Sequence, residues 1–415
     1  MKFNRELIEA IAQEDPDLAE RLFREWQQSM IVLARHDPSA FCEYVLRNEN
    51  TGGPIYQHKD HEEIHAAILK HPRTAIWTHP AFGKGVPLSS EVPTPNGWAR
   101  IGDLRVGDTV YGSDGLPTRL TWVGPVNNIR VFELEFDDGV IVKADEEHLW
   151  SARHANNRTR NKSSLRNVST IEMSQSVRRS DGRCNWAIPL SQPVQFAERK
   201  LPIHPYVLGA WLGDGHSSAP ILTFHETDAA IYERCASLVS EPGRVTPIKD
   251  RAHLFRGRIG GSVFSQTLRN LGVVGTPSRK HIPADYLRAS VEQRRELLAG
   301  LLDTDGCVYT RDGSSSFVEV SFCNEQLATD TLELVRSLGF KARMRTEPSK
   351  LYGRTVGLRH RIFFTARTPV FRLARKLAQQ EIGKVRGGST NWRYIKRITE
   401  VPSEPTQIGR ASCRE

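Results

Sequence analysis

Two apolar stretches constrain this chain more than anything else in it: VLGAWLGDG, Val207 to Gly215, and LLAGLLDTDG, Leu297 to Gly306. Each sets glycine and alanine among large apolar residues and closes on Asp-Gly. Apolar character all round predicts a buried helix, and the closing glycine lets the chain turn out of it. Small residues at positions 209, 210, 299 and 300 predict two helices in close approach. Packed side by side, they bring Asp214 and Asp305 to one end. Two adjacent carboxylates repel each other unless divalent metal ions neutralise them, which is the arrangement for two-metal cleavage of a phosphodiester. One such helix would be an ordinary core element; the tandem is what points to chemistry.

The two stretches resemble the paired motif of the LAGLIDADG homing endonucleases, and the resemblance runs past the motifs. SRKHIPADYL, Ser278 to Leu287, is similar to the segment those enzymes place between their motifs, with Lys280 on the lysine that assists catalysis. LATDTLELVRSLGFKARMR resembles the helix and strand that follow the second motif. The resemblance implies a monomeric, Mg²⁺-dependent endonuclease acting on double-stranded DNA. Asp214 and Asp305 would be its metal ligands and, with Lys280, its catalytic residues. It also implies two antiparallel sheets forming a saddle on the major groove, which strands can read. Arg256, Arg258, Arg343, Arg345, Arg359 and Arg361 lie in strand-like stretches and are the expected DNA contacts. Each of them reads equally well as a solvated surface charge.

Around this segment the texture is β. From about residue 85, short alternating runs separated by Gly-Asp, Asp-Gly and Gly-Pro predict compact all-β structure. The basic stretch at about 154–183 reads as a loop or a DNA-facing insertion. PTPNGWARIGDLRVGDTVYGSDGLPT resembles the N-terminal block of inteins, and DDGVIVKADEEHLW resembles the next block. That likeness makes His148 the residue that polarises the N-terminal splice bond. Gly85 has no side chain with which to attack. Gly85 and Trp150, two residues after His148, match the class 3 inteins, which use an internal cysteine instead. RYIKRITEVPSEPTQ is similar to their last strands, but Ile408 stands where that cysteine is expected. Residues 408–415, IGRASCRE, are expected to be a sequencing-adapter artefact, which removes Cys413 from consideration. A terminal His-Asn pair is absent as well, so splicing by this chain is expected to fail.

The preceding segment ends in HPAFGK, where Gly83 and Lys84 begin a G-K-[ST] phosphate loop that Gly85 interrupts. An incomplete P-loop and a helical lead-in, IYQHKDHEEIHAAIL, resemble the start of a phage terminase large subunit; another P-loop ATPase or helicase is the alternative host. Residues 1–84 lack a Walker B carboxylate, so no ATP turnover is expected of them. Within the lead-in, His58, His61 and His65 share a helical face, read as an amphipathic surface in preference to a metal site.

The fold class is thus multi-domain α+β. Residues 1–84 are expected to be a helical, P-loop-bearing host fragment with its splice junction at Lys84–Gly85. Residues 85–198 and 388–407 form the two parts of an all-β Hint splicing domain. Residues 199–387 form an α/β endonuclease of two pseudo-repeats. Composition agrees: net charge is +9, favouring a polyanionic partner. The six cysteines show no Cys-x-x-Cys spacing, so neither a zinc site nor a disulfide framework is indicated. No apolar run spans a membrane, and a cytoplasmic location is expected. A DNA-binding intein remnant with a dead nuclease remains the alternative function.

Overall fold

The computed structural model describes residues 85–155, 165–310, 316–351, 354–380 and 391–411, with isolated helical positions at 18, 22 and 24. The chain divides into two compact units, Met1–Pro80 and Ala81–Glu415. Gly83, Lys84, His58, His61 and His65 lie outside the described residues. Every strand among the described residues belongs to the second unit.

The β part of this unit is built as the alternation predicts. Val131–Phe136 buries Phe132, Leu134 and Phe136 on one face. It lies in a six-stranded sheet whose order is Ile141–Asp145, Val131–Phe136, Trp392–Val401, Trp186–Pro189, Leu149–His154 and Arg166–Ser169. Met173, Trp186, Val168 and Ile395 complete its core. A second sheet pairs Val86–Pro87, Thr406–Ala411, Pro117–Asn127 and Thr109–Tyr111 in that order. The strand Thr406–Ala411 shifts register after Gln407. Within the basic stretch, the described residues 165–183 are more than a loop. Arg166–Ser169 joins the sheet edge, and Ser169 caps the short helix Thr170–Ser174 through its hydroxyl. Charge alone had hidden a strand whose buried residue, Val168, packs into the core.

Residues on either side of the motif segment build the six-stranded sheet. Ile188 pairs with Arg393, Pro189 with Trp392, and the Leu190 N–H donates to the Asn391 carbonyl at 3.0 Å. Everything between them therefore leaves and re-enters across neighbouring antiparallel strands.

That intervening segment has its own core, centred on the motif helices Pro205–Asp214 and Val291–Asp305. Pro205 at the first turn and the His204 ring start the first helix; a Ser290–Gln293 capping box starts the second. After each helix the chain makes sheet and helix again. Ile221–His225, Leu254–Arg258 and Val245–Pro247 form a three-stranded sheet with Leu254–Arg258 in the centre. Gly306–Thr310, Ser316–Phe322, Arg354–Phe364 and Ala342–Leu351 form a four-stranded one, in that order. Helices Ala229–Ser237 and Glu325–Ser337 back these sheets.

Candidate active site

The motif helices touch at their glycines. A Cβ on Gly209 would stand 2.2 Å from the Leu297 carbonyl oxygen, and one on Gly300 would stand 2.2 Å from that of Tyr206. Neither position accepts any side chain without the helices moving apart. Two interior glycines weaken a helix by roughly 0.5–1 kcal/mol each; here they are what the close approach requires. Nearer the end, a Cβ on Gly213 would lie 3.0 Å from Asp305 Oδ2, so the Asp305 carboxylate reaches across to the end of the first helix. Asp214 is the last residue of that helix, and Asp305 the last of the other. The expected meeting of the two carboxylates is therefore observed.

Helix C-termini carry partial negative charge, so two carboxylates there are electrostatically unfavourable. Two lysines answer that charge. Lys280 is buried, and its Nζ donates to the carbonyls of Trp211, Leu212, Gly213 and Gly215 at 3.0, 3.1, 3.2 and 2.6 Å. Lys376 does the same for the second helix, donating to Leu302, Asp303 and Thr304 at 2.9, 2.5 and 3.0 Å. The sequence pointed to Lys280 but not to Lys376, which lies in the helix Ala374–Gln379. No motif marks that position; only the parallel with Lys280, one lysine following each motif, could have found it.

Burial pushes the Lys280 ammonium down to about 8, while Asp305 and Asp214 oppose the shift. Lys376 is lowered too, by burial first. Burial and then the Asp214 charge push the Asp305 carboxyl up to about 7; Asp214 is raised by burial against the two lysines. Both aspartates are nonetheless exposed residues. The packed helix ends crowd them on one side and leave the other open to solvent. Asp303, two residues before Asp305, has a different task. It is fully buried, accepting from the Tyr206 hydroxyl at 2.7 Å and from the Arg372 and Leu373 N–H groups.

Among the described residues no group of three or more His, Cys, Asp and Glu is placed to hold a metal ion. Mg²⁺ does not require one: it takes one or two carboxylates and completes its shell with water and substrate phosphates. Two accessible carboxylates whose charges oppose each other fit that ion.

The expected DNA contacts divide into two sets. Arg256 and Arg258 are exposed and alternate with inward Phe255 and Gly257 on the central strand of the smaller sheet. On the larger sheet, Arg345 opposes Arg361 and Arg343 opposes Phe363, so Arg343, Arg345, Arg359 and Arg361 share the face away from the core. Arg361 is already engaged, its Nε and Nη2 donating to Glu319 at 2.5 and 2.8 Å, and Arg359 pairs with Glu347. That face holds acidic partners that the strand pattern did not disclose.

In the β part, Gly85, Asp145, His148 and Thr406 cluster. The Asp145 N–H donates to the Gly85 carbonyl at 3.0 Å, and the His148 N–H to the Asp145 carbonyl at 3.2 Å. Trp150 braces the histidine: the ring centroids are 4.5 Å apart, and Trp150 Nε1 donates at 3.0 Å to Thr170 Oγ1. Thr170 in turn donates through its N–H to the His148 carbonyl at 3.0 Å. His148 and Trp150 thus lie together, and the main chain of Asp145, which the sequence reading did not single out, links His148 to Gly85.

Residues 281–379 match a family model described as homing endonuclease. Among curated proteins, the chain is 34% identical over 346 residues to the replicative DNA helicase DnaB of Mycobacterium intracellulare, covering 79% of this chain and 55% of that protein. It is 30% identical over 179 residues to the DnaB helicase of Mycobacterium leprae (strain TN), covering 40% and 29%. An iron–sulfur cluster assembly SufBD family protein of the same organism is 24% identical over 143 residues, covering 32% and 15%. The chain thus spans about half, or less, of the length of these relatives. Among solved structures, the Msm DnaB1 intein splicing domain bound with zinc is 38% identical over 16% of this chain and 55% of its own, at a TM-score of 0.16. The gp41-1 intein is 28% identical over 17% and 53%, also at 0.16. Residues 281–379 are thus similar to homing endonucleases, and the similar solved structures include inteins. The terminase host is not supported: the relatives include DNA helicases, which favours the alternative host. No helix among the described residues is long and apolar enough to cross a membrane.

Proposed function

We propose that the chain is an intein-borne, site-specific DNA endonuclease of LAGLIDADG type, set in a class 3 splicing domain that interrupts a DnaB-like helicase. The observation that carries the nuclease reading is the pair of carboxylates, Asp214 and Asp305, brought together at the ends of helices in glycine contact and flanked by two buried lysines. The insertion reading draws support from the relatives themselves. A helicase and an iron–sulfur assembly protein are unlike in name and task, and similarity to both supports a segment that sits in unrelated hosts.

Asp214 and Asp305 would hold Mg²⁺, which when bound neutralises charge developing on the phosphodiester oxygens. Lys280 and Lys376 hold the helix ends that aim the carboxylates. The Lys280 amine, pushed down to about 8, is able to exchange a proton with solvent near neutral pH. The sheet arginines supply phosphate contacts. At the other site, His148 acts on the Lys84–Gly85 bond, its ring and main chain fixed by Trp150 and Thr170.

The test is cleavage of a plasmid bearing an uninterrupted helicase allele, with Mg²⁺. The chain should linearise it, and Asp305→Asn should abolish cutting by at least a hundredfold while DNA binding persists. Binding without cutting by the unaltered chain would establish the inactive-remnant alternative instead. The host is tested on residues 1–84: they should complete a helicase P-loop when joined to the downstream sequence.

A further inference from the structure

Gly85 is buried against a carboxyl group. A Cβ built on it would stand 1.6 Å from Asp145 Oδ2 and 3.1 Å from Thr406 Oγ1. No side chain fits at position 85 while Asp145 holds its place. By bond geometry, Oδ2 then lies at most about 4 Å from the Gly85 nitrogen. Asp145 is 2% exposed, and its Oδ1 accepts no hydrogen bond. An orphaned carboxyl oxygen in the interior costs stability and calls for an explanation.

We propose that Asp145 is a catalytic acid at this junction, occupying the space of the missing first side chain and delivering its proton to the Gly85 nitrogen as the preceding peptide bond breaks. The inference rests on the splicing reading above and adds a residue to it. Where a first residue with a nucleophilic side chain would fill this space, here a proton donor does, so the nucleophile must come from elsewhere. With a thiolate as nucleophile, sulfur attacks the carbonyl carbon of residue 84 and forms a thioester. The C–N bond breaks, its electron pair passes to the Gly85 nitrogen, and the Asp145 proton joins that nitrogen. An α-amino group and the Asp145 carboxylate remain.

The surroundings suit a donor. Burial pushes the Asp145 carboxyl up to about 6; Glu147 adds to the shift, and the main-chain N–H groups of His148 and Glu147 pull the other way. Of the segments against it, Gly85 and Thr406 bring no charge, and Val131, its partner across the sheet, is apolar. On the same turn, Glu146, Glu147 and His148 are titratable, and Glu146 pairs with Arg130 at 3.3 Å.

The full chain is incubated with dithiothreitol between pH 5 and 8, and scission between residues 84 and 85 is followed by mass spectrometry. Asp145→Asn, which keeps the side chain's shape, should slow scission at least tenfold with DNA cleavage unaffected. In the unaltered chain the rate per thiolate should fall as pH rises past the Asp145 titration, and in the Asn variant that fall should vanish. If Asp145→Asn misfolds, as judged by thermal unfolding, Asp145→Ser provides the same comparison. Equal rates and equal pH profiles would overturn the role of Asp145 and leave the junction standing. No scission at this bond in the unaltered chain would overturn the junction and the proposal together.

Discussion

At the scale of single residues, the nuclease site is recognisable by what it costs. Asp305 titrates at about 7, above the ordinary carboxylate value of about 3.9. The folded state therefore binds more protons than the unfolded one between those values, and stability falls as pH rises through that window. Asp305→Asn removes this loss. It should melt at a higher temperature than the unaltered chain at pH 8 and at a similar one at pH 4, as scanning calorimetry would show. Mg²⁺ should narrow the gap at pH 8 by neutralising the same charge, if the two aspartates bind it. Lys376 behaves oppositely, because it satisfies acceptors. Lys376→Met leaves the carbonyls of Leu302, Asp303 and Thr304 without their buried donor, a loss of about 1–3 kcal/mol. Denaturant unfolding should read that loss, and DNA cleavage should fall with it because Asp305 is the next residue. A cleavage rate unchanged in Lys376→Met would show that the second helix end needs no cap.

At the scale of elements, everything depends on how closely two helices approach. Gly300→Ala puts a methyl group 2.2 Å from a main-chain oxygen of the facing helix, which cannot rotate away. Forced separation of a packed pair costs typically 1–3 kcal/mol, although alanine favours the isolated helix by up to about 1 kcal/mol. The variant should therefore lose stability and, because the helix ends set the spacing of Asp214 and Asp305, lose cleavage out of proportion to it. Gly357→Ala, on an exposed strand with nothing near its Cβ, is the control expected to leave both alone. This crossing was legible in the sequence, since glycine and alanine inside an apolar run have few other uses. His148 and Trp150 were legible for a different reason: both fall in one strand-turn segment whose local order matches a family pattern. What could not be read is whatever depends on register between distant strands. Glu319 meets Arg361 only because Ser316–Phe322 and Arg354–Phe364 align as they do. The contact of Asp145 with Gly85 is likewise a consequence of folding rather than of spacing.

At the scale of the whole unit, the endonuclease segment enters and leaves at a single pair of neighbouring strands. Leu190 and Asn391 are hydrogen-bonded to each other, so the chain between them closes a long excursion from what is locally a hairpin. The two cores are separate clusters, one on Phe132, Leu134, Trp186 and Ile395, the other on the motif helices. The links between them include Lys341 with Asp137 at 2.6 Å, Trp98 with Glu333 at 3.1 Å, the Tyr111–Phe196 ring contact at 4.9 Å, and the Gln192 and Gln195 N–H groups donating to the Ser113 and Gly115 carbonyls, both at 2.8 Å. The partly exposed side-chain pairs among them contribute about 0–1 kcal/mol each, and shortening a long loop slightly favours folding through lower closure entropy. Replacing residues 191–390 by Asn-Gly, the two-residue sequence that suits a tight hairpin, should therefore leave a β domain that folds. Its far-ultraviolet circular dichroism should be that of a strand protein with a cooperative thermal transition, and its DNA cleavage should be nil. Scission at Lys84–Gly85 by added thiol should survive the deletion, because Gly85, Asp145, His148, Trp150 and Thr406 all belong to the retained part. A deletion variant that aggregates, or folds but loses thiol scission, would show that the nuclease segment supports the splicing site instead of merely riding on it.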